Sequence, residues 1–240
     1  MTPTPDIRKL GIITGLMSEA FAARAVAAHA RVDKTHAIVR CGGPGLAAAE
    51  RAAQSALADG AEILVSFGLA GGLSPDLEPG SLVLPRRVIS AEGPPLKVDE
   101  GSVDAIAFAV ASAVKISRED LVSVGIVVSG IEQKAALAKV SNAVAVDMES
   151  YGVARAAVAA GKPFLVLRAI ADPADCSIPP AALAGMGPGG RIKPLAVMAA
   201  LAREPQSIRP VMQLARDTTK AMRALRRAAR LAFPVLFVGG

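Results

Sequence analysis

One stretch of the sequence decides the fold class: FLVLRAIADP, at residues 164–173. It begins as an almost continuous apolar run, as expected for a β-strand that is covered on both faces. It ends in an aspartate followed by a proline, a residue that cannot donate to a β-ladder. A second run, ILVSF at residues 63–67, is likewise apolar and is followed by glycines. Two such strands predict an α/β protein with a buried sheet.

Outward from these strands, short β-rich runs alternate with alanine-rich helical stretches. The predicted strands are Leu10–Thr14, Ala37–Arg40, Ile63–Phe67, Leu82–Val88, Val122–Val128, Ala143–Val146 and Phe164–Ile170. The predicted helices are Glu19–Ala30, Leu46–Ala58, Val103–Val114, Gln133–Val140, Ser150–Ala160 and Ile208–Ala232. Loops are predicted at Glu92–Pro95 and Asp172–Pro194, and the second is long enough to be a lid. We expect one domain spanning residues 1–240, although the length also permits two small domains.

Composition excludes several classes of protein. Hydrophobic residues make up 52% and charged residues 20%, which excludes disorder. Aromatic residues make up only 3%, which argues against stacking platforms for single-stranded nucleic acid. Mean hydropathy is +0.43, yet no apolar run reaches the roughly 18 to 20 residues that span a membrane.

The remaining compositional signals concern location and metals. Residues 1–12 lack the pattern of a secretory signal, and the two cysteines, Cys41 and Cys176, fit a reducing compartment. We therefore expect a cytoplasmic protein. The two histidines, His29 and His36, have no ligand cluster at metal-binding spacing, so no zinc site is expected.

Three segments are candidates for chemistry, and each also has an ordinary structural interpretation. Gly68–Leu73 follows a buried strand and is either a place where a ligand approaches the backbone or a glycine-rich turn. Val146–Ser150 puts two carboxylates at a strand–helix junction, where they could also be a charged first turn. Asp172 could be held protonated by desolvation and act as an acid, or could form an Asx turn closed by Pro173.

Taken together in this order and spacing, the three segments resemble the family-1 nucleoside phosphorylases and nucleosidases. The resemblance covers about residues 9–178. The sequence looks most like the hopanoid-associated members of this family. That finer resemblance rests on four features: VDMES at 146–150, ADPAD at 171–175, the Pro179-Pro180 pair and the basic C-terminal helix. The resemblance implies a three-layer sandwich with a central mixed β-sheet.

The resemblance also implies an activity, the release of adenine from an adenine nucleoside. The implied substrate is adenosylhopane, leaving ribosylhopane, or phosphoribosylhopane if phosphate attacks. Asp172 would protonate or hydrogen-bond N7 of the purine, and Glu149 would accept hydrogen bonds from the sugar hydroxyls. Further substrate contacts would come from Met148, Leu69, Ala70, Gly71, Ile131 and Met17.

No cofactor is implied, and the relatives indicate a homo-oligomer. Two alternatives stay open within the enzyme class: a methylthioadenosine/adenosylhomocysteine nucleosidase and another purine nucleoside phosphorylase. An alternative of a different class is a catalytically silent protein that binds nucleosides or docks on a membrane.

Two departures from the family pattern concern the catalytic groups. The glutamate that activates water in hydrolytic relatives falls, by strict spacing from Met17, on Ala20. Either Glu19 takes that role by a shift of one residue, or the nucleophile is oriented otherwise. Ala171 stands where many relatives have a serine that orients the catalytic aspartate, so other donors must position that aspartate. Lys134, near the start of a predicted helix, is expected at the surface.

A third departure concerns phosphate. Ser66 and Leu69 occupy the strand and turn on which phosphorylases place an arginine and a serine. Without a bidentate cation a phosphate site loses its strongest anchor, which favours water as the nucleophile. Arg24, Arg40 or Arg86 could instead supply a charge from elsewhere.

The predicted C-terminal helix has one cationic stripe. Its members are Arg216, Lys220, Arg223, Arg227 and Arg230. The ordinary interpretation is a solvated face on a docked helix. The alternative is a peripheral contact with the anionic inner membrane, where each cation contributes about 1 kcal/mol. Phe233, Leu236 and Phe237 would then dip into the interface. Nucleic acid is a third option, disfavoured by the few aromatics.

Overall fold

The computed structural model of the protein describes residues 9–29, 37–112, 114–185, 187–191 and 193–236. The strands are β1 (Leu10–Thr14), β2 (Ala37–Cys41), β3 (Ile63–Gly72), β4 (Leu82–Val83), β5 (Arg87–Ser90), β6 (Gly93–Lys97), β7 (Ile116–Ser117), β8 (Leu121–Ser123), β9 (Ala145–Asp147) and β10 (Phe164–Asp172). The helices are α1 (Met17–His29), α2 (Leu46–Ala58), α3 (Glu100–Val110), α4 (Ile131–Ser141), α5 (Ser150–Ala159), α6 (Pro180–Leu183), α7 (Pro194–Arg203) and α8 (Ile208–Val235).

These strands form one mixed sheet in the order β6-β5-β8-β9-β3-β10-β4-β7, and β1 joins it by pairing with β3 and with β2. β3 pairs in parallel with β1 and β10, and its last two residues pair antiparallel with β9. Helices α2 and α5 pack together, and α8 packs against α1, α3 and β10. All nine residues of β10 are buried, as the apolar run predicts. The expected α/β architecture with a mixed central sheet flanked by helices is confirmed.

The glycine-rich segment after Phe67 is strand and not turn, so the turn interpretation is wrong. β3 continues to Gly72, and Gly68 lies opposite Arg168 of β10. A Cβ atom on Gly68 would lie 2.4 Å from Nη1 of Arg168 and 2.6 Å from Oε1 of Glu19. Glycine is required here because two long side chains press against the strand, not because the chain reverses.

Other boundaries differ from prediction where proline or packing intervenes. The predicted strand Leu82–Val88 is two strands, β4 and β5, on either side of Pro85. The predicted loop Glu92–Pro95 largely belongs to β6, which lies at the end of the sheet. An edge strand tolerates proline because one row of its N–H groups needs no partner. The predicted strand Val122–Val128 is reduced to β8, and α7 was not predicted at all.

The C-terminal helix buries one face and exposes its cations. Its buried residues are Ala221, Leu225, Ala228, Ala229, Ala232 and Phe233. The Phe233 ring packs on Phe67, with 5.8 Å between centroids, and Leu236 is fully buried. Because they are buried, Phe233 and Leu236 are not available to enter a membrane interface, and that expectation is wrong for both. Phe237 lies outside the described residues. In the described ranges no helix has both the length and the apolar character to cross a bilayer.

The segment after β10 folds back over the opening of α1. It contains α6 and a 3₁₀ turn at Pro188–Gly190. Gly190 has a φ of 73°, and a Cβ atom there would lie 2.1 Å from the carbonyl oxygen of Gly15. Gly189 lies similarly close to Gly43. This close packing makes the segment a cover over the ends of β1 and β2.

Candidate active site

A cavity of about 480 Å³ lies at the C-terminal ends of β3 and β10. Its volume is within the range of small-molecule sites. Its floor is formed by the β1–α1 turn, the end of β3 and the β9–α5 junction, and its roof by α6, α7 and the first half of α8. Carboxyl groups lie on the floor, whereas most of the roof and side walls is apolar. The cavity thus has a polar end and an apolar end.

Glu19 lies at the start of α1 with its carboxylate on the cavity wall. Oε2 accepts the backbone N–H groups of Gly15 at 3.1 Å and Leu16 at 2.8 Å, and Oε1 accepts that of Leu69 at 2.8 Å. Burial raises the pKa of Glu19, while the nearby Arg168 and these N–H groups oppose the shift. The three bonds fix the carboxylate and leave acceptor capacity for one further ligand, such as a water molecule. Ala20, the alternative position, is in the core.

Arg168 is the functional residue that sequence reasoning missed. It is fully buried in β10, and its Nη2 atom donates to Ser66 Oγ at 2.8 Å. Nη2 also lies 2.8 Å from Oδ2 of Asp147 and 3.2 Å from Oε2 of Glu149. A sequence signal existed, because an arginine inside an apolar strand must be paired when it is buried.

Asp147 is a structural carboxylate between Arg168 and the start of α5. Its Oδ1 accepts Ser123 Oγ at 2.5 Å, and its Oδ2 accepts the backbone N–H of Ser150 at 3.2 Å. The Ser150 hydroxyl also donates to Oδ2. Asp147 therefore has the ordinary structural role considered for Val146–Ser150: its carboxylate accepts hydrogen bonds from N–H groups at the start of α5.

Glu149 is also buried, beside Arg168, Asp147 and Glu19. Burial raises its pKa to about 7, because Arg168 and the backbone N–H of Gly45 only partly offset desolvation, and Asp147 and Glu19 raise it further. A Cβ atom on Gly15 would lie 2.7 Å from Oε1 of Glu149. Glycine at position 15 therefore makes room for this carboxyl.

Asp172 ends β10 and faces the cavity. The register between β10 and β3 shifts between Ile170 and Asp172, an irregularity of the kind that re-aims a side chain. Burial raises the pKa of Asp172, and the charge of Lys134 opposes that shift. Lys134 is fully buried with Nζ 2.7 Å from Oδ2 of Asp172, so the expectation that Lys134 lies at the surface is wrong.

Most of the predicted site residues come together at this cavity. Those that line it are Glu19, Leu69, Ala70, Gly71, Met148, Glu149 and Asp172. Met17 and Ile131 do not line it. Ile131 is 45% exposed at the start of α4, because that helix turns Lys134 and not Ile131 towards the interior.

None of the arginines considered as replacements at a phosphate site lines the cavity. Arg24 and Arg40 border a separate surface depression, and Arg40 pairs with Asp59. Arg86 borders another groove. Among the described residues that line the cavity, Arg191 is the cation, and it is exposed. A buried phosphate would therefore have no dedicated cationic partner.

The apolar end of the cavity is formed by segments that were not predicted from the sequence to be part of the site. It includes Ile126, Ile178, Val197, Val211 and Leu214. Val197 belongs to α7 and the last two to α8, so the first half of the C-terminal helix borders the cavity while its second half packs on the core.

A family described as the phosphorylase superfamily matches residues 23–184. The chain belongs to the phosphorylase superfamily. This confirms the expected enzyme class, a nucleosidase or phosphorylase acting on N-glycosidic bonds, and the family resemblance at that level. The narrower similarity to hopanoid-associated members stays a prediction. No curated protein matches the sequence.

Solved structures share the fold of this phosphorylase-superfamily chain at low identity. A 5′-methylthioadenosine/S-adenosylhomocysteine nucleosidase from Helicobacter pylori, with butyl-thio-DADMe-Immucillin-A, is 17% identical with a TM-score of 0.66, covering 93% of this chain and 98% of that one. The Neisseria meningitidis nucleosidase of the same description, with methylthio-immucillin-A, is 16% identical with a TM-score of 0.66, covering 94% and 99%. Futalosine hydrolase of Helicobacter pylori is 20% identical with a TM-score of 0.62, covering 69% and 88%.

The raised pKa of Glu149 gives the stability of the protein a definite pH dependence. The folded protein retains the Glu149 proton up to about pH 7, whereas the unfolded chain releases it near the ordinary value of 4.5. The free energy of unfolding should therefore fall as pH rises through this window. We expect Glu149→Gln to gain stability relative to the parent between pH 4.5 and 7, on the order of 1–3 kcal/mol, in urea titrations.

Glu119→Gln, at an exposed position, is the control and should keep a constant difference from the parent. Parallel curves for Glu149→Gln and the parent would mean that Glu149 does not hold its proton in the folded state. Glu149 and Glu19 act on each other through their charges, so the difference between the curves reports the titration of Glu149 together with any change it causes in Glu19.

Proposed function

We propose that this protein hydrolyses the N-glycosidic bond of an adenine nucleoside with a large apolar 5′ substituent, and that its substrate is adenosylhopane. The observation that carries the proposal is the placement of three buried carboxyl groups, Asp172, Glu149 and Glu19, on the polar side of one otherwise apolar cavity. The proposal divides the reaction among these groups.

Asp172 acts on the base. Its raised pKa favours a protonated carboxyl, which donates its proton to N7 as the bond from C1′ to N9 breaks. The electron pair of that bond stays on the purine, which leaves as neutral adenine, and the sugar becomes oxocarbenium-like. The apolar cavity walls strengthen this hydrogen bond by excluding water.

Glu149 and Met148 bind the sugar, and Glu19 orients the nucleophile. Glu149 would accept hydrogen bonds from the ribose hydroxyls beside the backbone of Ala70 and Gly71. Water held by Glu19 adds to C1′ and gives one proton to the Glu19 carboxylate. Exchange with solvent removes that proton and reprotonates Asp172, so the balance is nucleoside plus water to adenine plus free sugar. Glu19 is suited to this part because its carboxylate is fixed by three N–H groups and borders the cavity.

Water is favoured over phosphate as the nucleophile by the state of Arg168. Its guanidinium already contacts Ser66, Leu69 O, Ser150, Asp147 and Glu149, so it is engaged with groups of the protein itself. A phosphate dianion next to the floor carboxyls would also meet like charge, and Arg191, which is exposed, is the one cation among the described residues that line the cavity.

The apolar end of the cavity supports a bulky hydrocarbon on the 5′ carbon. Side chains such as Val197, Val211 and Leu214 would contact it, and Ile126, which is 75% exposed, extends this surface outward. A small methylthio group would leave much of this surface in contact with water. A methylthioadenosine/adenosylhomocysteine nucleosidase is nevertheless the alternative, and it is favoured by the shared fold of such enzymes.

Adenine release from two substrates tests the function. We expect the purified protein to release adenine from adenosylhopane in detergent without added phosphate, with kcat/KM higher than for methylthioadenosine. Release that requires phosphate would make the enzyme a phosphorylase. A preference for methylthioadenosine would contradict the hopanoid assignment, and no release from either would favour a silent binding protein.

The role of Asp172 is tested by Asp172→Asn, which keeps the shape but removes the acid. We expect kcat to fall by at least about 100-fold because proton donation to N7 is lost. The matched control is Asp175→Asn, an exposed aspartate three residues on, which should keep full turnover. Unchanged turnover in a folded Asp172→Asn variant would remove Asp172 from the mechanism.

A peripheral contact with an anionic membrane belongs to the same proposal. α7 has the sequence PLAVMAALAR, and none of its residues is buried; Leu195 is 84% and Met198 is 64% exposed. Lys193 precedes this apolar helix and Arg203 ends it. Short apolar helices with flanking cations suit the headgroup region of a bilayer. Because Val197 lines the cavity, α7 would connect the site with the lipid.

The cationic stripe of α8 supports the same contact. Its residues Arg216, Lys220, Arg223, Arg227 and Arg230 are all exposed. Within the part of the chain that the structure describes, none of them forms a salt bridge with a carboxylate. These cations recur at steps of 4, 3, 4 and 3 residues along the helix, so they lie on one face that would meet anionic headgroups. The homo-oligomer expected from the family stays a prediction.

Co-sedimentation with vesicles tests the membrane contact. We expect binding to vesicles that contain anionic phospholipid, and loss of binding when Arg223, Arg227 and Arg230 are replaced by glutamate. The control replaces Arg51, Lys97 and Lys162 by glutamate, the same charge change at exposed positions elsewhere, and should still bind. Equal loss in both variants, or no binding by the parent, would make the stripe a solvated surface.

A further inference from the structure

Lys134 is an unusual anchor for a helix. Of the residues of α4, which the structure describes throughout, Lys134 is the one that is buried. Lysine is almost never fully buried unless its charge is paired, because desolvation of an ammonium group is costly. Leu137 and Ala138 of α4 are only partly buried against the core, so a fully buried lysine on this helix indicates that its charge is needed where it lies.

The ammonium group of Lys134 binds the turn that follows β10. Nζ donates to the backbone carbonyl oxygens of Asp172 at 3.2 Å, Pro173 at 2.7 Å and Cys176 at 2.9 Å. A lysine ammonium has three N–H donors, and three carbonyl acceptors use them all. The turn is therefore held by one side chain from α4 as well as by its own hydrogen bond from the Cys176 N–H to the Pro173 carbonyl oxygen, at 3.1 Å.

The same nitrogen forms an ion pair with Asp172, with 2.7 Å between Nζ and Oδ2. Within the described ranges no other donor hydrogen-bonds Oδ2. The preceding residue, Ala171, has no hydrogen-bonding side chain to orient the carboxyl. Asp172 is therefore placed by its backbone turn and by the ammonium charge beside its Oδ2 atom.

We propose that Lys134 is a positioning residue of this site: it fixes the turn that carries Asp172 and holds a positive charge against the Asp172 carboxyl. The acid role of Asp172 in this inference rests on the proposed function, whereas the contacts of Lys134 do not. Lys134 acts through Asp172 and does not itself line the cavity.

The proposal predicts how Asp172 titrates. Burial raises the pKa of Asp172, and Lys134 is the charged side chain that opposes the rise. The other charged or titratable groups around the turn are the Cys176 thiol and two aspartates, Asp175 and, from α8, Asp217. Both aspartates act on the Cys176 thiol through their charges. Removing the ammonium charge should therefore raise the pKa of Asp172 further, by at least about one unit.

Carbon-13 NMR of aspartate side-chain carboxyls measures this directly, with Asp172→Asn to assign the signal. We expect the titration midpoint of Asp172 to move upward by at least about one pH unit in Lys134→Met and in Lys134→Gln. Lys139→Met, an exposed lysine on the same helix, should leave it unchanged. Adenine release should fall at least about 10-fold in kcat in both Lys134 variants, with a smaller change in KM, because the acid is misplaced while the binding groups remain.

An unchanged Asp172 midpoint in a folded Lys134 variant would overturn the proposal, even if turnover fell. Failure of both variants to fold would also overturn it, since Lys134 would then be a structural residue. The two hypotheses fail separately. A shifted midpoint in a protein that releases no adenine would reject the proposed function and keep the role of Lys134. An unshifted midpoint in an active enzyme would reject the role of Lys134 and keep the proposed function.

Discussion

The buried guanidinium of Arg168 is the interaction on which the floor of the cavity depends. It contacts Asp147 and Glu149 directly and acts on Glu19 through its charge. One cation among three carboxyl groups leaves an excess of negative charge in a region of low dielectric, so protons are retained there more strongly than in water. The strands around it provide the space, since Gly68 of β3 faces Arg168 and Gly15 faces Glu149.

The ends of the cavity differ because different parts of the chain supply them. The floor comes from strand ends and helix starts, where backbone N–H groups and buried charges fix the carboxyls in place. The roof comes from α6, α7 and the first half of α8, which supply aliphatic side chains. α7 buries none of its own residues, so much of its apolar surface stays exposed. The cavity is therefore polar at one end and apolar at the other.

Local patterns were sufficient for the regular elements. β1 and α2 have the predicted bounds, because an apolar run or an alanine-rich stretch can be recognised from a few consecutive residues. Sequence patterns gave the wrong prediction where a neighbouring strand determines the conformation of a segment. Gly68–Gly72 continues a strand because β9 and β10 pair with it, and β6 is a strand despite Pro94 and Pro95 because it lies at an edge.

The sequence by itself determined the α/β class, the superfamily and the segments that carry Asp172, Glu149 and Glu19, because these depend on local pattern and motif spacing. Only the tertiary structure decided the partners of those carboxyls. Arg168 looked like an ordinary strand residue, and Lys134 like a surface lysine. Burial and pairing bring together residues from distant parts of the chain, such as Lys134 and Asp172, and periodicity within one segment does not encode such contacts. The charges that tune each carboxyl therefore emerge only when the sheet and its covering helices are in place.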